Sequence, residues 1–272
     1  MNEKMRDLQD ILVALGSFSL AFSGGVDSTF LLALAQSLPD VRVVAVTARS
    51  CVFPQRELDE AIVFCAERNI EHIIVDTDEL NIPGFVQNPP NRCYLCKTEL
   101  LAKIKAVACE CGLAHVVEGS NADDVGDYRP GMQAVAELGV RSPLREAGWT
   151  KDEIRAASKA MGLPTAEKPS LACLASRICY GNEITLEKLQ RIERAEQLLL
   201  ERGLTQVRVR AHDDLARIEV DEQSIARLFG NDGGVLRREI DNALHDLGFA
   251  YISADLRGYR TGSMNEMLGE RK

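Results

Sequence analysis

The stretch best suited to chemistry is Ser23-Gly24-Gly25-Val26-Asp27-Ser28. It follows an apolar run at 18–22 that reads as a buried strand. It leads into 27–34, where Phe30, Leu31 and Leu34 mark a helix. A Ser/Gly loop between strand and helix suits phosphate. The glycines let the backbone approach an anion, the helix N-terminus aims N–H groups at it, and the serine hydroxyls add donors. The plainer alternative is a glycine turn with a Ser/Asp helix cap. No Gly-Lys pair occurs in the chain, so the loop is not of the GxxxxGK[ST] kind.

Thiols form a second group. Cys93-Tyr94-Leu95-Cys96 is a CxxC next to Asn88-Pro89-Pro90-Asn91-Arg92, and Cys173 and Cys179 lie in a later segment. All four are expected in loops punctuated by Pro and Gly. A CxxC alone is a redox pair, half a zinc site or chance. With Cys173 it offers three thiolates for zinc, or three corners of a [4Fe–4S] cluster with one iron open to exogenous sulfide or substrate. Cys179 as a fourth ligand would close such a site. Cys51 and Cys65 read as small core residues, and Cys109 and Cys111 as unremarkable residues late in a helix.

Arginines form a third. Arg208 and Arg210 alternate with Val207 and Val209, so both face one side of a strand. Paired guanidiniums suit a phosphate; the competing reading is a solvated strand face with carboxylate partners. Ser176-Arg177, in the loop beside Cys173, favours phosphate. So does composition: of 15 basic residues from Cys173 onward, 13 are arginine, the bidentate type.

The elements that must position these groups alternate. A helical stripe at 4–15 precedes the first strand. Further strands read at 41–46, 73–75 and 115–117, with Pro54 opening one intervening helix and Leu100, Ile104 and Val107 marking another. This predicts an α/β, doubly wound, mostly parallel sheet, with ligands at the carboxyl ends of its strands. Glu118-Gly119-Ser120-Asn121-Ala122-Asp123-Asp124 sits at one such end. Its acids suit Mg²⁺ beside ATP, or form a solvated turn. Thr150-Lys151-Asp152-Glu153 is a capping box opening a helix. Residues 167–182 read as loop. A helix at 185–202, strands at 206–210 and 215–220, helical structure at 225–247 and a strand at 249–253 then predict a smaller α+β domain. The expected domains are 1–170 and 171–272.

The chain has 272 residues, 46% of them hydrophobic, enough for one large or two modest cores. No apolar run reaches membrane-spanning length and no signal-type apolar region opens the sequence, so a soluble cytoplasmic protein without membrane contact is expected. A net charge of −9 argues against a nucleic-acid partner. Eight cysteines without a secretory signal argue against a disulfide framework.

The Ser23–Ser28 loop resembles the SGGxDS signature of the ATP-pyrophosphatase (PP-loop) superfamily. Further motifs resemble the LarE family, ATP-dependent sulfur transferases of nickel-pincer nucleotide biosynthesis. They are the 88–97 segment, Asp127-Tyr128-Arg129-Pro130-Gly131, Ala175-Ser176-Arg177-Ile178, Val207-Arg208-Val209-Arg210 and Gly258-Tyr259-Arg260-Thr261-Gly262. The likeness runs nearly end to end. It implies that ATP adenylates the carboxylates of pyridinium-3,5-biscarboxylic acid mononucleotide, and that sulfur displaces AMP to leave thiocarboxylates. It implies ATP and Mg²⁺ at Ser23, Gly24, Gly25, Asp27, Ser28 and Asp124. It places the nucleotide substrate at Ser176, Arg177, Glu196, Arg208 and Arg210, and it implies a homo-oligomer.

The sulfur source divides the family. One type sacrifices a single loop cysteine, a position that aligns with Ala172 here. The other carries a CxxC plus one loop cysteine, matched by Cys93, Cys96 and Cys173. That pattern implies a [4Fe–4S] cluster fed by a sulfide or persulfide donor. Cys179 departs from the pattern, which has proline there. Competing readings are a tRNA thiolase, an amide-forming PP-loop synthetase with structural zinc, and a non-catalytic nucleotide-binding regulator.

Overall fold

The computed structural model describes residues 3–124, 130–170, 172–260 and 262–266. The chain divides into two compact units, Met1–Ile82 with Asn91–Leu171, and Pro83–Pro90 with Ala172–Lys272.

The first unit alternates helix and strand. In order it contains α1 (Glu3–Leu15), β1 (Ser17–Ala21), α2 (Val26–Gln36), β2 (Arg42–Arg49), α3 (Gln55–Glu67) and β3 (His72–Asp76). Then come α4 (Arg92–Glu110), β4 (His115–Val117), α5 (Gly131–Glu137), α6 (Pro143–Glu146) and α7 (Lys151–Ala160). The strands form one parallel sheet in the order β3-β2-β1-β4, with Phe18 of β1 opposite both Val43 and His115. Successive side chains of a strand point to opposite faces, and β2 shows both faces covered. Ala45 packs with Leu8, Leu12, Phe30, Phe64 and Ile154 of α1, α2, α3 and α7. Its neighbours Val44 and Val46 pack with Leu101 and Ile104 of α4 and Val135 of α5. This is the doubly wound arrangement expected of a buried parallel sheet.

Two helix starts follow from local chemistry. Thr150 caps α7 reciprocally: its hydroxyl accepts from the Glu153 N–H, while the Glu153 carboxylate accepts from the Thr150 N–H at 2.9 Å. The helix expected around Leu100 starts earlier than its apolar spacing suggests. α4 begins at Arg92, with Asn91 as its N-cap. Cys93 and Cys96 therefore lie in its first turns and not in a loop, which corrects the expectation. Pro89-Pro90 end just short of the helix, where the missing N–H and fixed φ do no harm.

The second unit is α+β. It contains α8 (Leu186–Glu201), β5 (Arg208–His212), β6 (Leu215–Glu219), α9 (Glu222–Phe229), α10 (Gly233–Asp246) and β7 (Tyr251–Ala254). β5 pairs antiparallel with β6, and β6 pairs parallel with β7. Segment 83–90 belongs here. The Gly181 N–H donates to the Asn88 carbonyl and the Ile184 N–H to that of Val86. The buried Asn88 amide donates to the carbonyls of Ile178 and Cys179 at 3.1 and 2.7 Å. Among the described residues no helix is long and apolar enough to cross a membrane.

Leu101 is fully buried beneath the helix that carries the CxxC. Leu101→Ala is expected to lower the unfolding free energy by about 2–5 kcal/mol, read from urea unfolding. An unchanged midpoint at unchanged slope would contradict this packing.

Candidate functional site

β1 ends where the loop begins, and the loop delivers the chain into α2. Gly24 has φ +66°, a conformation natural to glycine, and a Cβ there would sit 3.5 Å from Ala61 Cβ and from the Glu57 carbonyl oxygen. Gly25 is the N-cap of α2 and brings no side chain to cap it. The loop closes on itself through Ser23 Oγ, 3.2 Å from Ser28 Oγ, while Ser28 Oγ lies 3.3 Å from the Gly25 carbonyl. The Thr29 N–H donates to the Gly25 carbonyl. Among the described residues, the N–H groups of Val26, Asp27 and Ser28 have no acceptor. These are the donors that a helix N-terminus offers to an anion.

The loop after β4 reaches the same helix end. A Cβ on Gly119 would lie 3.1 Å from the Ser28 nitrogen and 3.4 Å from its Cα, so a larger residue would push the two loops apart by a few tenths of an ångström. Asn121 donates its side-chain amide to Asp27 Oδ1 at 3.3 Å, and Lys151 pairs with Asp27 Oδ2. The Lys151 N–H also donates to Asp123 at 2.7 Å. The Asn121 N–H donates to Asp124 Oδ2 at 2.9 Å.

Glu118 is committed elsewhere. It accepts from Lys97 Nζ at 2.9 Å, from the Ser120 hydroxyl at 2.7 Å and from the Ser142 hydroxyl at 2.5 Å. Burial pushes its carboxyl up, but Lys97 and the two hydroxyls outweigh burial and hold it below the usual carboxylate range. Of the acids in 118–124, Glu118 is thus saturated by protein donors. Sequence reasoning missed Gly119, Lys97, Ser142 and Lys151. Lys97 had a signal, since it lies one helical turn after Cys93 and so on the same face.

Cys93 and Cys96, three residues apart on α4, share a helix face near its N-terminus. Cys173 is in the second unit, where it precedes the 3-10 turn Leu174–Arg177. No cysteine is in a disulfide. Among the described residues no three His, Cys, Asp or Glu side chains form a group able to hold a metal ion.

Arg177, Arg208 and Arg210 of the second unit are buried, not solvated. Arg177 is fully buried and makes a bidentate pair with Glu196, at 2.8 and 2.9 Å. Its third nitrogen donates to the carbonyls of Ala172 and Cys173 and lies 3.1 Å from Ser176 Oγ. Glu196 also accepts from the Val209 N–H at 3.0 Å, tying α8 to β5. Burial raises the Glu196 carboxyl, but the charge and hydrogen bonds of Arg177, with Arg208 and the Val209 N–H, together outweigh it and its pKa falls. Arg210 pairs with Glu219 at 2.8 Å and donates to the Ser176 carbonyl at 3.1 Å. The Arg208 guanidinium lies 5.0 Å from the centre of the Tyr259 ring, and burial and the Arg177 charge lower its pKa. Ser176, Arg177, Glu196 and Arg210 are thus joined by hydrogen bonds, and Arg208 stands two residues before Arg210 on the same strand. The carboxylate partner foreseen for the strand arginines exists for Arg210, as Glu219, but in the core. Asp127, Tyr128, Arg129 and Thr261 lie outside the described residues.

An open helix N-terminus behind a Ser/Gly loop, at the carboxyl end of a doubly wound parallel sheet, defines an ATP-pyrophosphatase-type α/β protein. No family model matches the chain. The chain is 28% identical to a glutamine-hydrolysing GMP synthase component of Thermoplasma volcanium, over 70% of this chain and 65% of that protein. It is 41% identical to an uncharacterised protein of Synechocystis sp., over 98% of this chain and 99% of the relative. It is 35% identical to the pyridinium-3,5-bisthiocarboxylic acid mononucleotide synthase of Lactiplantibacillus plantarum, over 97% of this chain and 92% of that enzyme. The chain belongs to that synthase family, the LarE family, and is an enzyme.

Two outcomes are expected. Gly119→Ala pushes a methyl against the Ser28 backbone and should weaken apparent ATP affinity by about ten- to a hundredfold; an unchanged KM for ATP would contradict the close approach. The depressed Glu118 pKa stabilises the fold above its unfolded value, and that stability is lost as pH falls through the folded value. Glu118→Gln should therefore flatten the acid limb of stability against pH; an unaltered limb would contradict the pairing.

Proposed function

We propose that the protein is an ATP-dependent sulfur transferase that converts the carboxylates of pyridinium-3,5-biscarboxylic acid mononucleotide to thiocarboxylates. The observation that carries this reading is the 35% identity to the Lactiplantibacillus plantarum synthase across nearly the whole chain. The open N–H groups at Val26, Asp27 and Ser28 support the ATP half of it.

In this reading the first unit binds ATP and the second binds the mononucleotide. Ser23, Gly24, Gly25, Asp27 and Ser28 receive the ATP phosphates. The loop N–H groups stabilise negative charge developing on departing pyrophosphate. Asp124, in the loop after β4 at the carboxyl end of the sheet, is the acid offered to Mg²⁺. Arg208 and Arg210 line the substrate phosphate site, Arg210 keeping its pair with Glu219. Arg177 and Glu196, spent on each other, position Ser176 and the Cys173 loop.

Adenylation turns a carboxylate oxygen, a poor leaving group, into AMP. A sulfur nucleophile then displaces it. Cys93, Cys96 and Cys173 would hold a [4Fe–4S] cluster. The donor chemistry suits one: three thiols outside any disulfide, two of them near a helix N-terminus, where negative charge is favoured. When bound, such a cluster supplies a metal-held hydrosulfide that is already deprotonated at neutral pH. An external sulfide or persulfide donor would replenish it. The protein is expected to act in the cytoplasm as a homo-oligomer, without nucleic acid or membrane.

Anaerobic purification is expected to yield about four iron and four acid-labile sulfide per chain. Cys93→Ser should lose both along with sulfur transfer, while ATP–pyrophosphate exchange persists. Loss of exchange as well would make Cys93 structural, and zinc without iron would overturn the cluster.

A further inference from the structure

Cys179 has no part in the chemistry above, and its surroundings are specific. Its Sγ lies 3.1 Å from His212 Nδ1, a hydrogen-bond distance at which the thiol donates when Nε2 carries the ring proton. The backbone holds both partners. Ile178 forms a parallel bridge with Ala211, one residue before each member of the pair, and the Asn88 amide holds the Cys179 carbonyl at 2.7 Å. The other ring nitrogen, His212 Nε2, is buried and has no partner among the described residues. Nδ1 is therefore the ring atom through which His212 exchanges a proton, and Sγ is what it exchanges with. The thiol itself is half-exposed.

Burial pushes the Cys179 thiol up, against the charge of Arg217, and burial and Arg217 both push the His212 imidazole down. The pair thus rests as a thiol beside a neutral base. A nucleophile next to a base of this kind is activated when an electrophile arrives, by proton transfer along the existing contact. Arg217 and Arg210 then favour the thiolate that forms.

We propose that Cys179, with His212 as its base, is an acceptor of sulfane sulfur from a persulfide. Cys179 Sγ gives its proton to His212 Nδ1 and attacks the outer sulfur of R–S–SH. The new Sγ–S bond forms, the donor S–S bond breaks, and R–S⁻ leaves with its electron pair and takes up the proton. The products are R–SH and Cys179–S–SH, with no net oxidation or reduction. The inference deepens the reading of a sulfur transferase by naming where an external sulfur donor is met.

The loading step needs neither ATP nor nucleotide, so it is tested apart from that reading. The full chain is incubated with cysteine persulfide, alkylated, digested and examined by mass spectrometry. The expected result is one added sulfur atom on the peptide bearing Cys179, absent in Cys179→Ser. His212→Gln should slow loading by about tenfold or more while leaving Cys179 accessible to alkylation after unfolding. Circular dichroism establishes that both variants fold; should His212→Gln not fold, His212→Asn is used in its place. Loading confined to other cysteines would overturn the proposal, as would equal loading rates with and without His212. Loading of Cys179 without any thiocarboxylate synthesis would leave this inference standing and overturn the proposed function instead.

Discussion

The uncapped N-terminus of α2 is the constraint around which the first unit is arranged. Gly25 offers no capping side chain, and the next N–H groups find no acceptor among the described residues. Leaving buried or half-buried donors unpaired costs about 1–3 kcal/mol each unless water or a ligand meets them. The fold bears that cost at the start of α2 and fixes the place firmly. β1 and β2 hold the loop's entry, Gly119 closes to the Ser28 nitrogen, and Asn121 and Lys151 hold Asp27. An anion that satisfied those donors would recover the cost.

The second unit solves a different problem. Two ion pairs, Arg177–Glu196 and Arg210–Glu219, are almost wholly buried. Removing charges from water is expensive, and such pairs are tolerated when the remaining hydrogen bonds are made. Here they are: backbone carbonyls of Ala172, Cys173 and Ser176, the Val209 N–H and the Ser263 hydroxyl complete the shells. The network fixes the loop bearing Cys173 and Ser176 against β5. Cys179 and His212 lie just beyond it on the same two segments.

The alternation of helix and strand was legible because apolar periodicity changes visibly between them, and Thr150 and Glu153 announced α7 by their spacing. The Ser/Gly turn between β1 and α2 was legible because glycine and serine there follow an apolar strand and lead into an apolar helix stripe. Other features were not. α4 begins at Arg92 although its first two turns carry Arg92, Cys93, Tyr94 and Cys96, and Pro89-Pro90 before it read as loop. Its stripe becomes periodic only where Leu101 and Ile104 enter the core. The burial of Arg208 and Arg210 was hidden because the carboxylate that neutralises Arg210 is Glu219, across a strand pair. Gly119, Lys97 and Ser142 reach their partners only through the sheet order, which a linear sequence does not display.

The most direct test is an anaerobic reaction with ATP, Mg²⁺, sulfide and pyridinium-3,5-biscarboxylic acid mononucleotide, followed by mass spectrometry. A cluster-dependent sulfur transferase replaces carboxylate oxygen by sulfur, releases one AMP for each sulfur introduced, and makes more product molecules than there are protein chains. Absence of thiocarboxylate with intact ATP would contradict the assignment. Product limited to the number of chains, with Cys173 having lost its sulfur, would contradict the proposed sulfur source.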